Sequence, residues 1–207
     1  MILSPIAAKD LPALLACYAA ELDDSSRVVF RRIADPRAAQ RALGAAALQH
    51  HRRACALARS FGMDLLPGSP ALDYSWSGRA LRCDIEAYVL VHEVAHFQIA
   101  PPARRLVIDF GLGAGPETGD REAAAAAQSV SGLDSDIEEA MASLLGILWE
   151  VEFDQPGLAS FLDQNWLEGA GRKGTAAHFA RIFSRLRKAG LVDAEGHPQP
   201  RLAHRPI

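Results

Sequence analysis

Asp84-Ile85-Glu86-Ala87-Tyr88-Val89-Leu90-Val91-His92-Glu93-Val94-Ala95-His96-Phe97-Gln98-Ile99 is the stretch that decides how the chain is read. No proline or glycine falls between Asp84 and Ala100, so one helix can run through it unbroken. On a helix, residues four apart lie one above the other, which puts His92 and His96 on one face, roughly 6 Å apart. Two imidazoles at that spacing can grip a single divalent ion. Glu93 projects just beside the same face, within reach of a metal-bound water. The flanking Val89, Leu90, Val91, Val94, Ala95 and Phe97 place the segment in a core. Buried there, two histidines and a glutamate would each need a partner, and a metal supplies all three together.

Two histidines alone hold a catalytic metal poorly, so a third protein ligand is required, with positions left open for water or substrate. The acids of Asp134-Ser135-Asp136-Ile137-Glu138-Glu139 are the candidates. Glu139 is favoured, because Ala140, Ala142 and Ser143 beside it are small enough for two helices to close on one ion. Glu138 is the alternate and Asp136 remains open. The competing explanation is that acids simply enrich the first turn of a helix, where negative charge is stabilised.

Around this site the 207 residues suit one domain of mainly α (α+β) class, a single helical domain with a small β-sheet beside the metal helix. Residues 1–80 read as a helical N-terminal part, 81–170 as the metal-site core, and 171–207 as a C-terminal helix and tail. Pro12 opens a helix carrying Leu11, Leu14, Leu15, Tyr18 and Leu22, which Asp23-Asp24-Ser25-Ser26 breaks. Val28-Val29-Phe30 and Leu106-Val107-Ile108-Asp109-Phe110 are strand candidates by β-branched content. Asp35-Pro36 opens an alanine-rich helix ending near Phe61-Gly62. Within it His50-His51-Arg52-Arg53 reads as a solvated polar face, since adjacent histidines point about 100° apart. Pro67-Gly68-Ser69-Pro70 and Tyr74–Gly78 read as a loop delivering the chain to the metal helix.

Beyond that helix, Pro101-Pro102 ends it. The glycine-dense Gly111–Gly119 lacks a following Gly-Lys-Ser/Thr and is interrupted by Pro116, so it reads as a loop beside the site rather than a phosphate cradle. Helices are expected over Asp120–Gln128, Ser135–Trp149, Leu158–Trp166 and Thr175–Arg187. Arg181, Arg185 and Lys188 share one face of the last, a solvated face or a dock for an acidic partner. The tail after Gly196 reads as loose.

Composition bounds the function. With 49% apolar and 23% charged residues and a net charge of −3, nothing pulls the chain toward nucleic acid or an anionic membrane. Cys17, Cys55 and Cys83 form no CxxC pair and read as small buried apolar residues. No secretory leader or apolar run of membrane-spanning length is visible, so a cytoplasmic protein is expected.

From His92 onward, HEVAHFQIAPPARRLVIDFG resembles the elongation factor P hydroxylase family. The likeness runs ungapped from about Ala87 to Gly111. It takes in His92-Glu93, His96, the aromatic Phe97, Ala100, Ala103-Arg104-Arg105 and Asp109-Phe110-Gly111, with Pro116 in register. More weakly it continues through the Glu139 helix, Pro156 and Asp163–Gly169. The resemblance implies a non-haem Fe(II) hydroxylase acting on a translation factor, with His92, His96 and Glu139 as the two-histidine, one-carboxylate face. Glu93 would then orient a bound water, Arg104 or Arg105 would hold a carboxylate or the fold, and Asp109 would anchor an arginine or a histidine. Where the family carries aromatic residues after Asp-Phe-Gly this chain has Leu112-Gly113-Ala114-Gly115, and the N-terminal eighty residues find no counterpart. The substrate therefore stays open between a translation factor of the elongation factor P kind, another protein and a small molecule. Without the resemblance, the residues alone favour a zinc hydrolase with Glu93 as general base. A metal-stabilised binding protein with no catalysis is the third reading.

Overall fold

A computed structural model describes residues 6–67, 74–115, 118–168 and 174–204. The turn expected at Gly68–Pro70, Pro116, and Gly169 fall outside them. Among the described residues the fold is mainly helical, with one small two-stranded parallel sheet. None of the helices is long and apolar enough to cross a membrane.

Helix α1 (Leu11–Glu21) carries Pro12 in its first turn and buries Leu11, Leu15 and Tyr18. The acidic break after it starts a new helix instead of a strand. Asp23 accepts the Ser26 N–H as an N-cap and α2 (Asp24–Ile33) follows. The strand expected at Val28–Phe30 is therefore absent: Val29, Phe30 and Ile33 make a buried helical face while Val28 points outward. A good cap with packing on one face outweighs β-branched propensity. Asp35 caps only a short 3-10 turn (Pro36–Ala39), and the long helix α3 begins anew at Gly44 and runs to Ser60. Arg41, in the break between them, reaches Glu150, Ser160 and Asp163.

Strand β1 (Asp64–Leu66) pairs in parallel with β2 (Ala80–Arg82), Asp64 opposite Ala80. The histidine-bearing helix, α4, spans Ala87–Ile99. After Pro101-Pro102 come two 3-10 turns, Arg104–Leu106 and Ile108–Gly111, where a strand was expected. A strand fails there because Asp109, Phe110 and Gly111 all take left-handed φ (43°, 54° and 70°). Asp109 N–H bonds the Trp76 carbonyl, a tertiary contact that fixes the turn.

Helix α5 (Arg121–Ala126) is capped by Asp120, and α6 (Gly132–Glu152) is the longest, starting before Asp134. Helices α7 (Gly157–Asp163) and α8 (Thr175–Lys188) close the fold. The core is built on α4 against α6, with α3 on the other side of α4. Gly146 explains how near α6 comes: a Cβ there would stand 3.3 Å from the His92 Cα. A second focus is aromatic, where Tyr18, Phe30, Phe161 and Phe179 join α1, α2, α7 and α8 at ring separations of 4.9–6.3 Å.

Three further expectations change. The tail is tied down: Ala203 N–H bonds the Gln98 carbonyl, and the Gln98 side chain donates to the Gln199 and Arg201 carbonyls. His51 and Arg53 turn inward to the carbonyls of Cys83 and Phe153 instead of facing solvent. Of the cysteines, Cys55 is buried, Cys83 half-buried and Cys17 exposed.

Candidate metal centre

One turn of α4 and one residue of α6 build the site. His92 and His96 stack up the α4 face that meets α6, and Gly146 lets the α6 backbone close on His92. The two Nε2 atoms are 3.0 Å apart, and Glu139 Oε2 lies 3.6 Å from His92 Nε2 and 3.4 Å from His96 Nε2. Three atoms with those separations lie on a circle of radius about 1.9 Å, so one ion about 2.1 Å from all three sits close to their plane. These are the residues among those described that could hold a metal, and their donors, two imidazoles and a carboxylate, suit iron or zinc.

His96 is held in place from behind. Its ring stacks on Phe110 at 5.7 Å, and Phe110 stacks on Trp76 at 5.6 Å and an interplanar angle of 5°. Trp76 is fixed in turn by its indole N–H on the Arg105 carbonyl. The left-handed backbone at Asp109 and Phe110 is what brings the Phe110 ring against the histidine. Such a conformation costs of order 1–3 kcal/mol per residue and persists where surroundings impose it. Here the Asp109 carboxylate helps impose it, accepting the Trp76 N–H and the Thr118 hydroxyl, the latter at 2.6 Å.

Electrostatics match the geometry. Burial works against the charged form of His96, but Glu139, and less strongly Glu138, hold its imidazolium pKa above the usual value. Burial likewise pushes the Glu139 carboxyl up, yet His96 and His92 together hold it far below the carboxylate range. Asp109 is raised, by burial first of all. The centre is thus an anionic group facing two imidazoles, a charge arrangement that a cation can replace proton for metal.

The centre forms one wall of a cavity of about 930 Å³. Glu93, Tyr88, Val89 and Phe110 line it together with Gln164, Trp166, Glu168 and His178. Leu112, Gly113 and Gly115, from the glycine-dense loop, also line it. Trp166 donates its indole N–H to Ser143, one turn beyond Glu139, and stacks on His178 at 5.4 Å.

The expected residues separate accordingly. His92, His96 and Glu139 come together, and Glu93 and Asp109 line the same cavity. Glu138 points elsewhere, paired with Arg104 at 2.5 Å, while Asp136 is exposed and outside the converging group. Arg104 also donates to the Phe110 carbonyl, so it clasps the left-handed turn to α6. Arg105 donates to the carbonyls of Phe97 and Ala203 and ties the tail to α4. Both arginines lie outside the cavity lining and hold the fold around it. Gly146, Ser143, Trp166 and His178 were not singled out in the sequence as site residues. For Gly146 a signal existed, a glycine in mid-helix among large apolar residues, which marks a close approach.

Comparison with known proteins identifies no relative: no family model, no curated protein and no solved structure matches the chain.

Proposed function

We propose that this chain is a non-haem Fe(II)-dependent hydroxylase, of the kind the elongation factor P hydroxylases represent. The observation that carries the proposal is the convergence of His92 Nε2, His96 Nε2 and Glu139 Oε2 on one point in a cavity wall. Two histidines and one carboxylate on a single side leave the remaining coordination positions open toward the cavity. Bound iron(II) would supply the O2 chemistry that protein side chains lack. The residues do the rest. His92, His96 and Glu139 hold the ion, Phe110 and Trp76 fix the orientation of His96, and Glu93 stands on the cavity wall beside the first ligand.

The reaction inserts one atom of O2 into a substrate C–H bond and reduces the other to water, drawing two electrons and two protons from a reductant or cosubstrate. A cavity of this size accepts a side chain of a protein or a small molecule. A translation factor of the elongation factor P kind is the first partner to test.

Anaerobic reconstitution with iron(II), followed by O2 uptake and mass spectrometry of the co-incubated factor, tests the reading. Uptake with a gain of one oxygen atom on the factor is the expected result.

A zinc hydrolase is the second reading, and the placement of Glu93 in the same cavity as the ligand atoms favours it. There Glu93 would take a proton from a metal-bound water, whose pKa zinc lowers to roughly 7. Peptide cleavage abolished in Glu93→Gln with metal retained would replace the hydroxylase reading with this one.

A further inference from the structure

Helix α8 connects the cavity to a run of positive charge. Thr175 and His178, in its first turn, line the cavity. At 100° per residue, His178, Arg181, Arg185 and Lys188 fall within an arc of about 80° on one face. Ala176, Phe179, Ile182, Phe183 and Leu186 are buried on the other, so the charged face looks outward. Arg181, Arg185 and Lys188 are exposed and form no ion pair among the described residues; Arg181 approaches only His178 Nδ1, at 3.5 Å. Arg27, Arg32, Arg37, Arg41, Arg82 and Arg104 each meet a carboxylate, while Arg31, Arg52 and Arg59 are exposed and, like the α8 cations, form no ion pair among the described residues. What distinguishes α8 is that three such cations share one helix face that begins at the cavity.

We infer that the α8 stripe is a docking surface for an acidic segment of a polypeptide substrate, whose reacting side chain enters the cavity past His178. The inference rests on the reading of that cavity as the reaction site. Charge complementarity selects the occupant. Three cations without partners on one helix face attract carboxylates and steer their approach. Nucleic acid fits less well, because it would carry a negative charge at every residue up to a cavity lined by Glu93, Glu139 and Glu168, whereas a peptide can keep its carboxylates on the stripe and present a neutral or cationic side chain to the cavity.

Geometry sets the spacing. From His178 to Lys188 is about 15 Å at 1.5 Å per residue. An extended peptide covers that in about five residues. The acidic residues of the substrate therefore lie within roughly six positions of the one that reacts.

Fluorescence anisotropy on the full chain tests this at low and high salt. The probes are a labelled peptide ending in a run of glutamates, its glutamine counterpart and a single-stranded RNA of similar length. The glutamate peptide is expected to bind about tenfold or more tightly than either control at low salt, and to weaken as salt rises. Arg181→Glu with Arg185→Glu and Lys188→Glu should lower its affinity about tenfold or more, with the circular dichroism spectrum unchanged. Carbodiimide coupling adds a positional readout, since the only lysines are Lys9, Lys173 and Lys188, and the peptide should be captured on Lys188. Equal binding of the glutamine peptide, tighter binding of RNA, no effect of the charge reversal, or capture that omits Lys188 would each overturn the inference. Failure of the metal-site reading shows separately, in metal titration of the same protein, which the charge reversal leaves unchanged.

Discussion

Two polar clusters sit on the α4–α6 helix pair and solve opposite problems. At Gln98 every polar group is met by protein. The carboxamide oxygen accepts the Trp149 indole N–H at 2.7 Å, and the amide donates to the carbonyls of Gln199 and Arg201. At His92, His96 and Glu139 the groups converge on one another around a point. His96 Nδ1, on the far side of that ring, is buried and meets no hydrogen-bond partner among the described residues. Burial of polar groups is tolerated when partners are present. One cluster obtains them from the chain; in the other, His92 Nε2, His96 Nε2 and Glu139 Oε2 are arranged to obtain them from an ion, which leaves His96 Nδ1 unmet on the opposite side of its ring. Two residues of α4, His96 and Gln98, separate the two solutions.

The largest expected effect breaks the open cluster. His92→Ala with His96→Ala should abolish metal binding measured by equilibrium dialysis, and Glu139→Ala should weaken it on the order of a hundredfold or more. The fold should survive, because the site faces a cavity.

Breaking the closed cluster should do the reverse. Gln98→Leu strands the Trp149 indole and two tail carbonyls, and urea unfolding should report a loss of about 2–4 kcal/mol with metal stoichiometry unchanged. If instead Gln98→Leu abolishes metal binding and leaves stability alone, the contrast drawn between the clusters is wrong.

Gly146 joins the two behaviours. A valine there would push into the α4 backbone at His92, where even a Cβ stands at 3.3 Å. Loss of about 1–3 kcal/mol in stability is expected together with weaker metal binding, because the helix carrying Glu139 would move away from the histidines.

Much of this was legible in the chain. The α4 helix, its two histidines and the mainly helical class follow from spacing and apolar pattern, which are local properties, whereas Glu139 was favoured over Glu138 by the small residues after it and spacing alone did not decide between them. What failed was set by contacts distant in sequence. Val28–Phe30 and Leu106–Phe110 carry strand-like residues, but an Asp23 cap and a Trp76 carbonyl make them helical and left-handed. The tail looked loose because nothing in its own residues announces Gln98 as its partner. His178 could not be tied to the site from spacing, since it lies far from His92, His96 and Glu139 in sequence and meets the cavity beside Trp166 only once α8 has packed.

A smaller effect sharpens the closed type of cluster. Glu150, 1% exposed, takes a hydrogen bond from Ser160 and lies 3.5 Å from Arg41, yet burial pushes its carboxyl up to about 7. A raised carboxyl keeps its proton in the folded chain while the unfolded chain loses it near pH 4.5, so stability falls as pH rises from there to about 7. Glu150→Gln should flatten that slope, by about 1 kcal/mol or more between pH 5 and 7, in unfolding curves across that range.

Iron-edge X-ray absorption on protein reconstituted with one equivalent of iron(II) reaches the central claim most directly. The account predicts a nitrogen and oxygen shell at about 2.1 Å with outer-shell scattering from two imidazoles, lost in His92→Ala with His96→Ala. A spectrum of iron surrounded by oxygen alone, with no imidazole scattering and no change in that double variant, would contradict it.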